Sequence, residues 1–194
     1  GGAATDGGGG GGGGGFGGIL AGASALAGLG GIVGGVVSLN DELDQANAGM
    51  ATLISGITGT GIADSMLIAK DVVKDLRKDA AVGVGELSNY VEGFQKIMGP
   101  GLTGGASLDQ MRDLTRTSLA AGFAMRGGAG LEQAPMDIVQ ALTGGVNDRQ
   151  TPIALAALQA IGQDVSKFND MKMKDKIDTL VEGFGKFDAG VAVM

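Results

Sequence analysis

The chain has no cysteine, no histidine and no tryptophan in its 194 residues. Without cysteine there is no disulfide framework, no thiolate metal site and no cysteine nucleophile. Without histidine it lacks the usual general base near neutral pH and the commonest metal ligand. Serine and threonine hydroxyls therefore have no imidazole to activate them. Basic charge is also scarce: the first lysine or arginine is Lys70, and the formal net charge is −7. The electrostatic footprint of a nucleic-acid binder is missing, so no specific nucleic-acid binding is expected. Basic residues are interleaved with acids, as in Lys74-Asp75-Leu76-Arg77-Lys78-Asp79, which reads as a solvated helix face. Asp175 and Asp178 beside Lys174 and Lys176 read the same way. A glycosidase needs two carboxylates at a set separation. No acid stands isolated among apolar residues that would raise its pKa. The expectation is a protein that is not an enzyme, with no catalytic, cofactor-binding or metal-binding residues and no cofactor. The first residues, with no basic n-region, do not read as a secretory signal.

What the chain has in excess is glycine, 40 residues of it, and 19 of these fall in the first 35 positions. Residues 7 to 15 are an unbroken glycine run. Glycine has no side chain to pack and loses the most backbone entropy on ordering, so residues 1–15 read as a flexible Gly-rich segment. Residues 16–38 follow as an apolar segment in which Ser24 and Ser38 are the only polar side chains. As a helix, Phe16 to Val37 would be about 33 Å long, enough to span hydrocarbon. Small residues recur four apart, Gly18 with Gly22, Gly30 with Gly34 and Gly31 with Gly35, a spacing that lets apolar helices approach closely. Glycine weakens insertion, and no lysine or arginine flanks the segment to orient it. Burial in an assembly, disorder, a resident membrane helix and conditional insertion after release all remain open. The glycine run satisfies GxGxxG automatically, with no strand before it, so a nucleotide loop is discarded.

Beyond residue 38 the chain reads as helices separated by glycine or proline breaks. Leu39, Leu43, Ala46, Met50, Leu53 and Ile57 form a heptad seam, with Ser38 as N-cap. Thr58-Gly59-Thr60-Gly61 ends it. A second helix is expected over 63–80, with Met66, Leu67, Val73 and Leu76 as its stripe. A third is expected over 84–98, carrying Leu87, Val91, Phe94 and Met98, and stopped by Gly99-Pro100-Gly101. Ser107 and Gln110 make a capping box for a fourth, with Met111, Leu114, Leu119 and Phe123, closed by Gly127-Gly128. Pro135 is placed as the first residue of a short helix through Leu142, ended by Gly144-Gly145. Thr151-Pro152 starts another, with Thr151 as cap, and Gly162 ends it. No stretch alternates with period two, so no sheet of consequence is expected.

Met173, Ile177, Leu180, Phe184, Phe187, Val191 and Met194 step by four and three to the end of the chain. This pattern suits either a helix packed on its own domain or the start of a longer helix or coiled coil. The expected organisation is a Gly-rich segment at 1–15, an apolar and membrane-capable segment at 16–38, a helical domain at 39–170, and an amphipathic helix at 171–194 that continues past the given residues. The fold class is all-α: a multi-helix bundle preceded by a Gly-rich tether and an apolar helix, and ending in a heptad-patterned helix. The first and last residues suggest a window cut from a longer polypeptide.

Two stretches carry a family resemblance. One is Met136-Asp137-Ile138-Val139-Gln140-Ala141-Leu142-Thr143-Gly144-Gly145-Val146-Asn147-Asp148-Arg149-Gln150-Thr151-Pro152 with the Ala-Leu-rich helix to Ile161-Gly162. The other is Ile54-Ser55-Gly56-Ile57-Thr58-Gly59-Thr60 with the helices to Met98-Gly99. Together, over about residues 46 to 190, they resemble the helical domain near one end of tail tape-measure proteins of long-tailed bacteriophages. Tape-measure proteins are far longer than this chain, so the resemblance implies a piece of a whole. It also implies a structural role in the lumen of the phage tail: an extended protein whose length sets tail length, released at infection to assist DNA passage across the cell envelope. The implied partners are tail tube and tail tip or baseplate proteins, further copies of the chain as a trimer or higher homo-oligomer, and transiently the host membrane.

Two other classes compete. A small membrane-active, pore-forming or toxin-like protein fits residues 16–38 but not the long capped helical remainder. An adhesive or scaffold protein would use residues 1–15 as a linker.

Overall fold

The computed structural model describes residues 39–191, and the side chains of residues 44–186. The Gly-rich segment, the apolar segment, the paired glycines and the Ser38 cap lie outside the described residues, as do the side chains of Phe187, Val191 and Met194. The described part is all-α. Its helices are α1 (Leu39–Thr58), α2 (Ile62–Val82), α3 (Leu87–Thr103), α4 (Leu108–Arg126), α5 (Gly128–Gly144), α6 (Pro152–Ala160), α7 (Val165–Asp170) and α8 (Met173–Val191). No strand occurs among the described residues.

Helix α4 is the centre of the bundle and packs against α3, α5, α6 and α8. Its start is the expected capping box: Ser107 Oγ accepts from Gln110 N at 3.1 Å, and Gln110 Oε1 accepts from Ser107 N at 2.9 Å. Met111, Leu114 and Leu119 bury completely, whereas Phe123 is exposed. Thr115 and Ser118 are also buried, and their hydroxyls donate to the α4 carbonyls of Met111 and Thr115. Donating to its own helix satisfies each hydroxyl without a partner across the core.

The helix breaks follow a simple backbone rule. Gly59, Gly85, Gly105, Gly127, Gly145 and Gly162 each have positive φ, and one of them sits at each junction from α1 to α7. Only glycine takes that region without strain. Two proline readings are corrected. Helix α3 runs through Gly99-Pro100-Gly101 to Thr103, and α5 begins at Gly128 rather than at Pro135. Proline inside a helix removes one hydrogen bond and crowds the preceding turn. Packing next to both prolines accompanies the unbroken helices, although Pro100 itself is only half-buried. Gly101 lies directly on Met111, and Pro135 is buried in the α3–α5 contact against Gly93. Two other expectations fail locally. Leu67 is exposed; the expected Val73 and Leu76 are buried, with Ser65, Ala69 and Asp79 beside them, and Met66 packs half-buried against the core. Helix α7 was not expected at all.

The heptad seam of α8 is spent inside the molecule over the described side chains. Ile177, Leu180 and Phe184 are fully buried, and α8 packs on α4 and α6. The 39–170 domain and the start of the 171–194 helix thus share one core. Gly183 allows α8 to sit directly on the Ala157 backbone of α6. Lys176 is not a solvated residue either. It is buried, with its ammonium 5.6 Å from the centre of the Phe168 ring.

Candidate functional site

The most elaborately built local structure is the elbow between α5 and α6, which coincides with the stretch from Met136 to Pro152. Pro152 is the first residue of α6. It has no amide hydrogen, so the first free donors of that helix are the N–H groups of Ile153 and Ala154, both buried. An N-terminus buried without acceptors would be costly. The acceptor is Asp137, reaching across from α5. Its Oδ2 accepts from Ile153 N at 2.9 Å and its Oδ1 from Ala154 N at 3.0 Å. Both carboxylate oxygens thereby perform the duty of an N-cap, sixteen residues away in sequence.

Thr151 occupies the N-cap position but turns its side chain back into the loop. Its Oγ1 accepts from Asn147 N and donates to Asn147 O, each at 2.8 Å. Asn147 Oδ1 accepts from Gln150 N at 2.8 Å and Arg149 N at 3.2 Å, which closes the turn. Asn169, from α7, grips the start of the loop: its Oδ1 accepts from Val146 N at 2.7 Å and its Nδ2 donates to Val146 O at 3.4 Å. Gly145, at φ +87°, makes room for that amide, since a Cβ there would lie 2.8 Å from Asn169 Oδ1. Gln140 Nε2 donates to Gln150 Oε1 at 2.8 Å and ties the loop to α5. Asp148, Arg149 and Gln150 are left exposed at the tip.

Asp137 corrects the expectation that no acid sits among apolar groups. It is 6% exposed, and burial pushes its carboxyl above the usual carboxylate range. The two α6 amides pull in the opposite direction, as does the Arg126 guanidinium. A buried acid with a raised pKa is a common feature of catalytic sites. Here both oxygens are engaged by backbone amides, and the arrangement holds two helices together.

A shallow cleft of about 260 Å³ lies between α3 and α5, lined by Asn89, Glu92, Gly93, Lys96, Leu131, Glu132 and Pro135. Its charged groups are partly matched, with Lys96 Nζ 3.7 Å from Glu92 Oε2. Asn89 is engaged in the α3 cap, where its Oδ1 accepts from Glu86 N at 2.9 Å. No group of three acids able to hold a metal ion occurs among the described residues.

The second buried polar element joins α2 to α4. Asp79 is 7% exposed and receives a two-pronged Arg112 contact, Nε to Oδ2 at 2.5 Å and Nη2 to Oδ1 at 2.9 Å. Sequence reasoning placed Asp79 on a solvated face because the local pattern alternates in charge. Nothing nearby in sequence announces Arg112, and the same is true of Asp137 and Asn169. The only signal at the elbow was the Thr-Pro start of α6.

No family model, curated protein or solved structure matches the chain.

Proposed function

We propose that these residues are a helical domain of a tail tape-measure protein of a long-tailed bacteriophage, with a structural and not a catalytic role. The observation that carries the reading is the stretch from Met136 to Gly162, one of the two that carry the family resemblance, where the chain also devotes a dense set of polar contacts. Asp137 there fixes α6 against α5, Asn147 and Thr151 close the loop between them, and Asn169 from α7 holds the start of that loop. That is what a scaffold needs and what a catalytic site does not supply. The absence of histidine and cysteine points the same way.

On this reading the protein resides in the tail lumen, contacts tube and tail tip or baseplate proteins, associates with copies of itself, and leaves the tube at infection. Residues 16–38 are the part suited to meeting the host envelope. No helix among the described residues is long and apolar enough to cross a membrane. A ruler converts chain length to distance at about 1.5 Å per helical residue. In-frame deletion of helical turns from the native protein should therefore shorten the tail in proportion, by about 1.5 Å per residue removed. Unchanged tail length, measured by electron microscopy, would defeat the ruler reading and favour a small membrane-active protein.

A further inference from the structure

Helices α1 and α2 pack on each other and, to a comparable extent, on the body, mostly on α3 with a slight contact to α4. The body from α3 to α8 supplies most of the buried core, including Phe94, Ile97, Leu114, Ile138, Leu158 and Leu180, and Met50, Ile54, Val73 and Leu76 of the pair join that same core. The connection between hairpin and body is short and glycine-rich: Val82, 86% exposed, is followed by Gly83, Val84 and Gly85. In the docked arrangement both glycines are required. A Cβ at Gly83 would collide with the Tyr90 hydroxyl and the Asp79 carbonyl, and Gly85 has φ +88°. The same two residues give the segment the backbone freedom to swing.

The polar contacts between hairpin and body are few. Among the described side chains they are the Arg112 fork on Asp79, a longer Arg112 contact to Asp75 at 3.4 Å, and Gln95 Nε2 donating to Ala46 O at 3.4 Å. Beside that last contact, Asn47 is 8% exposed and its Oδ1 has no hydrogen-bond partner. Asn47 lies on the buried stripe of α1 with Met50 and Ile54. A buried acceptor without a donor favours any rearrangement that returns it to water. The contact thus combines one strong charged clasp with a polar group that opposes burial.

We propose that the α1–α2 hairpin is a releasable arm of the domain, hinged at Gly83–Gly85 and clasped to α4 by Arg112 on Asp79, which lifts as a unit while α3 to α8 stay folded. Proteins open in contiguous cooperative units whose opening free energies lie below the global value. The arm is such a unit. In sequence it is also the joint between residues 16–38 and the body. The proposal stands apart from the tape-measure reading and can fail without it.

The test is native-state hydrogen exchange, read by mass spectrometry on the 194-residue chain in a series of denaturant concentrations below the unfolding transition. Peptides from α1 and α2 should exchange through one shared opening, with a weaker denaturant dependence than peptides from α5 to α8. Arg112→Gln leaves Asp79 without its partner. It should speed exchange in α1 and α2 by roughly tenfold to a hundredfold and leave α5 to α8 unchanged. Asp79→Asn should act in the same place from the other side of the clasp. Exchange of α1 and α2 only together with α5 to α8, in the unsubstituted chain, would overturn the proposal. So would an equal acceleration of all helices by Arg112→Gln. Should that variant not fold, the denaturant series on the unsubstituted chain decides alone.

Discussion

Replacing Asp137 with alanine removes the only acceptor that the buried Ile153 and Ala154 amides possess in this structure. Each stranded donor costs about 1–3 kcal/mol, and an N-cap deletion measured as a whole costs about 0.5–2 kcal/mol. Relief from burying a charge offsets part of this, because burial already disfavours the ionised carboxyl. A net loss of about 3 kcal/mol is expected, and it should lower Tm by about 6–12 °C for a domain of this size. Asp137→Asn keeps one acceptor and turns an amide donor toward the second N–H, so it should lose about half as much. The pH dependence has a definite sign. The folded pKa lies above the unfolded value of 3.8. The stability this group contributes is therefore greatest below 3.8 and is lost as pH rises through the folded value. The Tm advantage of the unsubstituted chain over Asp137→Asn should shrink as pH rises from 3.8 through the folded value. Calorimetry of the three chains across that range is the assay. An alanine variant within 0.5 kcal/mol of the original would refute the capping role. An advantage that grows with pH would show that the amides outweigh burial.

Asn47→Leu should raise stability by about 1 kcal/mol, read as a higher denaturation midpoint, because it removes a buried acceptor without a partner. A lower midpoint would show that the amide has a partner in solution. Gly122 and Gly130 lie face to face at the α4–α5 contact, where a Cβ on either would meet the other's backbone. Gly122→Ala should therefore cost about 1–3 kcal/mol. Gly128→Ala, which meets nothing within 4 Å, should be neutral or stabilising by under about 1 kcal/mol. Equal effects at the two positions would argue against the close approach. Lysine at Leu180 or Phe184 should abolish cooperative unfolding of the domain, because both side chains lie in its core. Intact folding with altered oligomeric mass would instead put the seam on an outer surface.

Local signals carried the helices. The Ser107 box, the Pro152 start and the glycine breaks at 59, 127, 145 and 162 all act within a few residues of where they are read, so sequence sufficed for them. Pro100 and Pro135 misled for the complementary reason. Their local cost is real, but Pro135 is buried against Gly93 of α3, which is distant in sequence, and the half-buried Pro100 is followed by Gly101 packed on Met111 of the next helix. The α8 seam was visible as a pattern, yet period alone does not say which surface the stripe meets. Here the stripe meets α4 and α6. The elbow was legible as a motif and not as a mechanism. Asp137, Asn169 and the Arg112–Asp79 fork join residues tens of positions apart or on different helices, and their local surroundings look like ordinary helix surface.

The intact mass of the native polypeptide carrying these residues, taken from purified phage tails, bears most directly on the tape-measure reading. A ruler must be long, so the polypeptide should be several times heavier than the 19.1 kDa of the given residues and should be present in the tail. A product close to 19.1 kDa, or one absent from tails, would contradict that role and point to a small membrane-active protein with a glycine-rich leader.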